Sequence, residues 1–520
     1  MKKILQMVLA LAMLTAFLAG CESDPTEPEI SVPTGTVMQT QPSVSVPTQP
    51  PLSEEEQAAK DQAQLLAAQA QEIYDSYQDC PVFWCGVNSA DELTEGQKAV
   101  WVQELPEKAP SSQKNTTKGK IKAIYIYYPC EEDPSVYTDN QLKNRGIVRV
   151  FGYLGIPDAE GGKVPGMIYI HGATNHASAS AVVEAMNRGF ACLAFDTEGT
   201  INTTGPNNFN ESGNAFAKDR AGHISNDCFE SWEKPLEEQW MYWAVGDTIL
   251  ANTVMRSLDQ VDQVGVYGVS WGGIIASSVI CFDYRYDFCV PIYCSLGLED
   301  NVGYDAQKLK ERPIARYLWH DRERMAKSPV PTMILSSNDD LYCSVNCNVL
   351  TYESLRNGKL IIKPHFDHSH QHGVSAPETY RYVDWLLGRS EGFIEPDHQP
   401  TAEDGYSYTL ILDVPEDMTE PMVQLHYMTY AIRKYQNDKS LPNWKTVDLP
   451  YDPDTKTVTV TVPEKAYMYF ITFEGHNEAA AQARKLSPYR EYCDYAPDAI
   501  YSSTDIVLLL GDTIQYLYKK

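Results

Sequence analysis

The segment from Val264 to Gly273, which reads VGVYGVSWGG, is the feature that most constrains the fold of this chain. A short apolar run leads into Gly268-Val-Ser-Trp-Gly272, and the apolar residues after Gly273 begin a helical pattern. Glycines two residues before and two residues after the serine leave room for a sharp turn between a strand and a helix. The segment therefore predicts an exposed serine, Ser270, as a candidate nucleophile. The alternative is a tight turn with only a structural role.

The segments around this turn alternate between strand-like and helix-like patterns. Two entry strands are predicted at 121–128 and 146–156, and later strands at 165–172, 191–195, 288–296, 332–336 and 360–364. Helices are predicted at 179–186, 240–258 and 378–387. The later strands are apolar throughout, without the alternation of a half-exposed sheet. This pattern predicts an α/β fold with a mostly parallel sheet covered by helices on both faces.

The first 52 residues predict an export signal followed by a tether. Residues 1–20 carry Lys2 and Lys3 near their start, and their apolar run is shorter than the ~20 residues of a membrane-spanning helix. The run ends in Leu-Ala-Gly-Cys21, which resembles the lipobox of bacterial lipoproteins and implies a lipid on Cys21. The alternative is an ordinary signal peptide. Residues 21–52 are rich in Pro, Thr and Ser, so an exported lipoprotein at a cell-surface or periplasmic membrane face is expected.

The charge balance limits the partners of the chain. Its 42 basic and 70 acidic residues give a net charge of −28. Nucleic acid and anionic membrane surfaces are therefore not expected as partners, and the only membrane contact expected is the lipid on Cys21. Neutral substrates such as sugar esters are compatible with this charge.

The twelve cysteines allow several pairings in an exported protein. Cys80 and Cys85, and likewise Cys343 and Cys347, are close enough in sequence to pair. The connectivity stays open at this point. No Cys-x-x-Cys pair suggests zinc, and no metal or cofactor is predicted.

The chain after the tether divides into three predicted parts. Residues 53–118 are a helical or irregular lead-in with a helix at 53–77, and residues 119–392 are the α/β domain. Residues 400–520 contain strands with alternating patterns, such as the Thr/Val alternation at 457–462. We expect this last part to be a small β-sandwich.

A serine nucleophile needs a base to accept its proton and an acid to orient that base. The strand at 332–336 is followed by Asp339 and Asp340, and we favour Asp339 as the acid because it lies nearer the end of the strand. The segment 365–372 contains four histidines, from which we favour His368 as the base and keep His370 as the alternative. A metal site of these four histidines is not favoured, since no other residues with ligand spacing accompany them.

The developing negative charge on a substrate oxygen needs backbone donors. The N–H of Trp271 follows the serine directly, and a second donor is expected from Ala173 or Thr174 after the strand that ends at His171-Gly172. His171 itself is expected to brace that loop.

The motifs together resemble the acetyl xylan esterase and cephalosporin-C deacetylase group of the α/β-hydrolases. The resemblance rests on GVSWGG at 268–273, YRYDFCVPIY at 284–293, SSND at 336–339 and HSH at 368–370, and it covers about residues 120–390. It implies Ser270 as nucleophile, Asp339 as acid and His368 as base, and removal of acetyl or similar short acyl groups from carbohydrate. Ser336-Ser-Asn-Asp departs from the glycine-containing turn expected before the acid.

The sequence thus predicts a surface-anchored serine esterase that acts on small esters or acylated oligosaccharides such as xylan. One alternative is a peptidase of the prolyl oligopeptidase type, although no segment long enough for a β-propeller precedes the α/β domain. Another is a glycan-binding lipoprotein that keeps a hydrolase scaffold without turnover. Filled nucleophile, acid and base positions argue against that alternative.

Overall fold

The computed structural model describes residues 52–105, 119–158, 162–173, 175–198, 231–301, 304–340, 342–429, 444–490 and 495–509. The predicted signal peptide, Cys21, nearly all of the tether and Thr174 lie outside these residues. Within the described ranges, no helix combines the length and the apolar character needed to cross a membrane.

A ten-stranded sheet forms the centre of the protein. Its strands, in chain order, are β1 (Val82–Trp84), β2 (Ala99–Glu104), β3 (Gly119–Cys130), β4 (Arg149–Pro157), β5 (Val164–Ile170), β6 (Ala191–Phe195), β7 (Val261–Val269), β8 (Cys289–Ile292), β9 (Thr332–Ser337) and β10 (Gly358–Lys363). The order across the sheet is β1-β2-β3-β4-β6-β5-β7-β8-β9-β10. Strands β5 to β10 are parallel to one another, whereas β3 and β4 pair antiparallel with their neighbours. The predicted mostly parallel sheet with antiparallel entry strands is confirmed.

Two details of the sheet differ from the predictions. The lead-in contributes β1 and β2, which were not predicted. The strand predicted at 288–296 is shorter, because the chain leaves the sheet at Tyr293, whose φ is 69°. Strands β6, β8 and β9 are buried at every residue, so both faces of the sheet are covered there.

Twelve α-helices lie in the described parts of the chain: α1 (Glu54–Gln78), α2 (Asp139–Arg145), α3 (Ala179–Asn187), α4 (Trp240–Arg256), α5 (Trp271–Val279), α6 (Tyr304–Lys310), α7 (Pro313–Trp319), α8 (Arg322–Met325), α9 (Val345–Ser354), α10 (His370–Ser375), α11 (Pro377–Leu386) and α12 (Glu478–Leu486). The predicted helices at 179–186, 240–258 and 378–387 correspond to α3, α4 and α11.

Helix α1 confirms the helix predicted at 53–77. Ser53 caps it by accepting a hydrogen bond from the Glu56 N–H. Four alanines and Tyr74 recur at helical spacing and are buried, and the Tyr74 hydroxyl donates to the Tyr242 carbonyl oxygen of α4 at 2.6 Å. This helix therefore packs on the body of the protein through one small-residue face.

The C-terminal region is antiparallel, as predicted. Its strands are β11 (Glu395–Pro396), β12 (Ser407–Asp413), β13 (Met422–Met428), β14 (Lys445–Leu449), β15 (Tyr451–Asp452), β16 (Thr457–Thr461), β17 (Met468–His476), β18 (Ala499–Ser503) and β19 (Val507–Leu508). One sheet has the order β11-β12-β16-β15, and the other has β14-β13-β17-β18 with β19 also on β17. In β16 the valines are buried and the threonines lie outward.

This region closes the edge of the large sheet. The Ile362 N–H of β10 donates to Ser503 Oγ of β18 at 2.9 Å, so an outer backbone donor of the edge strand has a partner. The Trp444 indole N–H donates to the Asn338 carbonyl oxygen at 2.7 Å. The second contact brings the C-terminal region against the loop that follows β9.

Candidate active site

The turn between β7 and α5 places Ser270 in an unusual backbone conformation. Its φ is 59° and its ψ is −119°, a region that non-glycine residues rarely occupy. The Ser270 N–H donates to the Ile292 carbonyl oxygen at 3.0 Å, and the Gly273 N–H donates to the Ser270 carbonyl oxygen at 2.8 Å. The predicted strand, sharp turn and helix are confirmed, and the strained serine is held by its neighbours.

Close backbone contacts explain the glycines of the turn. A Cβ atom on Gly268 would lie 2.1 Å from the Gly272 carbonyl oxygen, and one on Gly272 would lie 2.1 Å from the Ile170 carbonyl oxygen. A Cβ on Gly273 would lie 2.2 Å from the Cys294 carbonyl oxygen. Backbone atoms cannot move aside as a side-chain tip does, so these positions exclude any side chain.

We expect Gly272→Ala to lower the free energy of unfolding by about 3 kcal/mol, since the methyl group must displace the end of β5. Gly162→Ala is the matched control, because a Cβ there would meet nothing within 4 Å. It should change stability by no more than about 0.5 kcal/mol. Urea unfolding of both variants measures the difference, and equal stabilities would contradict the steric explanation.

A hydrogen-bonded row joins Ser270, His368 and Asp340. His368 Nε2 lies 2.8 Å from Ser270 Oγ, and His368 Nδ1 lies 2.7 Å from Asp340 Oδ2. The Asp340 side chain is fully buried and the His368 side chain is 15% exposed. Because a carboxylate only accepts, Nδ1 carries the imidazole proton and Nε2 accepts from the serine hydroxyl.

The prediction that Asp339 partners His368 is wrong. Asp339 Oδ2 lies 2.7 Å from Nδ1 of His365, whose side chain is 71% exposed, and Asp339 Oδ1 accepts from Ser337 Oγ at 2.9 Å. Strand β9 runs one residue further than predicted, to Ser337, and the chain then turns inward at Asp340. Which of two adjacent carboxylates lies inside depends on this turn.

Backbone donors fix the orientation of Asp340. Its Oδ1 accepts from the N–H groups of Tyr342 and Cys343 at 2.7 and 3.0 Å. Oδ2 is left for His368. The signal in the sequence that would have favoured Asp340 is its place just before Tyr342 and Cys343, since aspartate commonly accepts hydrogen bonds from residues two and three positions ahead.

Tyr293 supports the histidine and was not singled out from the sequence. Its ring stacks on His368 with 4.6 Å between ring centroids and 25° between planes. Its hydroxyl donates to the Asp367 carbonyl oxygen at 2.5 Å. The Tyr293 carbonyl oxygen accepts from the buried Asn348 amide. The left-handed φ of Tyr293 thus turns its ring from the end of β8 toward the base.

A disulfide joins the two segments that support His368, namely the one with Tyr293 and the turn that begins at Asp340. Cys294, next to Tyr293, is bonded to Cys343, whose Cα lies 5.4 Å away. The suggested pairs Cys80–Cys85 and Cys343–Cys347 do not form, and Cys80, Cys85 and Cys347 are free. The bond connects residues 49 positions apart, so sequence proximity did not indicate it.

We expect the double variant Cys294→Ala/Cys343→Ala to lose about 3 kcal/mol of unfolding free energy, because the bond restricts the unfolded chain. Its kcat should also fall, since the turn after Asp340 is then no longer covalently linked to the segment that follows β8. Cys80→Ala is the control for a half-buried free cysteine and should keep its kcat. Dithiothreitol should lower the thermal midpoint of the parent and leave that of the double variant unchanged. An equal change of the thermal midpoint in both proteins would show that the bond does not stabilise the fold.

The four clustered histidines have four different partners. His365 and His368 pair with the two aspartates, His370 Nε2 accepts from the Gly172 N–H at 2.9 Å, and His372 Nδ1 lies 2.8 Å from Ser369 Oγ. In the described part of the chain, no group of three or more His, Cys, Asp or Glu is placed to bind a metal ion. His370, the alternative base, faces the loop after β5 and does not contact Ser270.

Of the two predicted oxyanion donors, one adjoins the serine in the chain and the other lies on a loop that approaches the turn. Trp271 is the first residue of α5, directly after Ser270. Ala173 follows His171 and Gly172 after β5, and this loop abuts the turn, since a Cβ on Gly272 would lie 2.8 Å from the His171 carbonyl oxygen. His171 braces the loop, because its Nε2 accepts from the Thr197 N–H at 3.1 Å and its Nδ1 donates to the Gly172 carbonyl oxygen at 2.8 Å.

The sheet with its turn at Ser270 and the Ser-His-Asp row define a protein with the α/β-hydrolase fold. Strands β3 to β10 have the relative order 1-2-4-3-5-6-7-8, in which the nucleophile follows the fifth strand. The triad residues occur in the chain order serine, acid, histidine, as in this fold.

Solved structures with a similar fold include two acetyl xylan esterases. The enzyme from Thermoanaerobacterium sp. is 15% identical, with 66% of this chain and 95% of that chain covered and a TM-score of 0.40. The enzyme from Paenibacillus sp. is 18% identical, with 65% and 96% covered and a TM-score of 0.38. A putative dipeptidyl aminopeptidase IV from Bacteroides ovatus is 12% identical, with 52% and 36% covered and a TM-score of 0.37.

No protein-family model matches the sequence, and the search of curated proteins finds no match. The structural neighbours include the esterase group that the sequence motifs resemble. These structures share the fold with this chain at 12–18% sequence identity.

Proposed function

We propose that the protein is a serine esterase that hydrolyses short acyl esters, in particular acetyl esters of carbohydrates such as xylan. The observation that carries this proposal is the row Ser270–His368–Asp340 with its distances of 2.8 and 2.7 Å. A serine on a strained turn, a base within hydrogen-bond reach and a buried acid behind it are the requirements for nucleophilic catalysis.

The reaction begins when Ser270 Oγ attacks the ester carbonyl while His368 Nε2 accepts the hydroxyl proton. The N–H groups of Trp271 and Ala173 then donate to the negative oxygen of the tetrahedral intermediate. His368 returns the proton to the leaving alcohol, and an acyl-serine remains. Water, activated by the same imidazole, releases the acid. Asp340 holds the imidazole in the required tautomer throughout.

The acetyl and carbohydrate specificity rests on the sequence motifs at 268–273, 284–293 and 368–370. The net charge of −28 is compatible with a neutral ester. We further propose that the protein is exported and anchored through a lipid on Cys21. The Cys294–Cys343 disulfide supports export, since such bonds persist in oxidising compartments.

The substrate class is tested with a panel of 4-nitrophenyl acetate, butyrate and octanoate, acetylated xylo-oligosaccharides and a Gly-Pro 4-nitroanilide. The proposal expects the highest kcat/KM among the aryl esters for the acetate, release of acetate from the oligosaccharides, and no cleavage of the anilide. Cleavage of the anilide with no ester turnover would instead support a peptidase. Binding of the oligosaccharide without turnover of any substrate would support a glycan-binding protein.

The nucleophile is tested without a mutation. A fluorophosphonate reacts with an activated serine and leaves a stable covalent adduct. We expect one equivalent of label, located by peptide mass spectrometry on the segment that contains Ser270. Labelling at another serine, or loss of activity without label on this segment, would contradict the assignment.

A further inference from the structure

His370 lies between the loop that carries the base and the loop that follows β5. It comes two residues after His368 and begins α10. Its Nε2 accepts from the Gly172 N–H at 2.9 Å, and its Nδ1 lies 3.2 Å from the side-chain amide of Asn175. The ring is packed tightly there, because a Cβ on Gly172 would lie 2.8 Å from Nε2.

This contact requires a neutral imidazole. An N–H group can donate only to an unprotonated ring nitrogen, so Nε2 carries no proton and the single proton of the neutral ring lies on Nδ1. The titratable groups that face the ring are His368 on its own loop and His171 and His176 on the opposite loop. Burial, together with these neighbours, lowers the pKa of His370 to about 4, which keeps the ring neutral near pH 7.

Two imidazoles thus hold Gly172 at both of its polar groups. His370 accepts from its N–H, and His171 Nδ1 donates to its carbonyl oxygen at 2.8 Å. That carbonyl belongs to the peptide unit whose N–H is the Ala173 N–H, and a peptide unit is planar. The direction of the Ala173 N–H therefore depends on how Gly172 is held.

We propose that His370 is a positioning residue that holds the Gly172 backbone and thereby aims the Ala173 N–H at the oxyanion of the reaction. This inference rests on the proposed esterase function. It also links the two halves of the site, since the helix start that carries His370 follows the base His368 directly. The hydrogen bond from the Gly172 N–H to His370 then fixes the position of the oxyanion donor relative to the base.

The test compares His370→Ala, His370→Gln and the control His176→Ala. His176 also faces His370 but is exposed, and the described contacts of Gly172 do not include its ring. For 4-nitrophenyl acetate, His370→Ala should lower kcat by roughly 10²-fold with little change in KM, because an oxyanion donor acts mainly in the transition state. His370→Gln should restore part of kcat, since its amide oxygen can accept from Gly172. His176→Ala should stay close to the parent.

A methyl trifluoromethyl ketone separates positioning from a general structural role. It forms a tetrahedral adduct with the serine, so its inhibition constant should rise in His370→Ala by about the factor by which kcat falls. The thermal midpoint shows whether each variant is folded. If His370→Ala does not fold, the same inhibition constant is measured with His370→Gln. An unchanged kcat, or a fall in kcat with an unchanged inhibition constant, would overturn the proposal.

Amide hydrogen exchange tests the same contact without turnover. The peptide covering 171–175 should exchange faster in His370→Ala than in the parent, with the rest of the sheet unchanged. Equal exchange would show that His370 does not hold Gly172. A parent that hydrolyses none of the esters would overturn the proposed function, and the exchange result would still decide whether the His370 contact exists.

Discussion

Replacement of Ser270 by alanine is expected to lower kcat for 4-nitrophenyl acetate by roughly 10⁵-fold or more, because no other group takes over nucleophilic attack. KM should change little, since the hydroxyl contributes little to ground-state binding. The alanine is also compatible with the turn, whose backbone is held by the contacts of Ser270 N and O. The measurement is steady-state kinetics on folded protein, with circular dichroism as the check of folding.

A second variant shows whether serine and histidine act as one unit. His368→Ala alone should cost about as much as Ser270→Ala, and the double variant should be no slower than either, since such effects are not additive within a triad. If the fold-decrease in kcat of the double variant equalled the product of the two single decreases, the two residues would act independently. Activity of Ser270→Ala above about 1% of the parent would exclude Ser270 as the nucleophile.

The second large effect is expected for Asp340→Asn, which should lower kcat by about 10⁴-fold. An asparagine amide can present its N–H₂ group to His368 Nδ1 and so favour the wrong imidazole tautomer. The hydrogen bonds from the N–H groups of Tyr342 and Cys343 to Oδ1 can remain, so the turn should keep its shape. The fall in kcat would then report on the tautomer and charge rather than on unfolding.

Asp339→Asn is the matched control, because it is the same substitution one residue earlier. It should change kcat by no more than a few fold, since Asp339 pairs with the exposed His365. His365→Ala should be similarly mild. A large loss in Asp339→Asn with an active Asp340→Asn would restore the assignment made from the sequence and contradict the geometry described above.

Local patterns determined the fold class and two residues of the site. The glycines around Ser270 specify a strand, a turn and a helix because backbone atoms approach within 2.1 Å of where a side chain would begin. Apolar runs without alternation predicted the parallel strands, and the Thr/Val alternation at 457–461 predicted an antiparallel strand. These signals lie within a few residues of the elements they describe. The cluster of four histidines at 365–372 likewise indicated His368 as a candidate base.

Tertiary structure decided how these pieces meet. Asp339 and Asp340 are chemically identical neighbours, and only the turn after β9 puts the second one inside, where the Tyr342 and Cys343 N–H groups hold it. The Cys294–Cys343 bond joins segments 49 residues apart. The contact between His370 and Gly172 spans 198 positions. Periodicity and composition report on neighbours in the chain, whereas these contacts depend on which strand ends meet at one edge of the sheet.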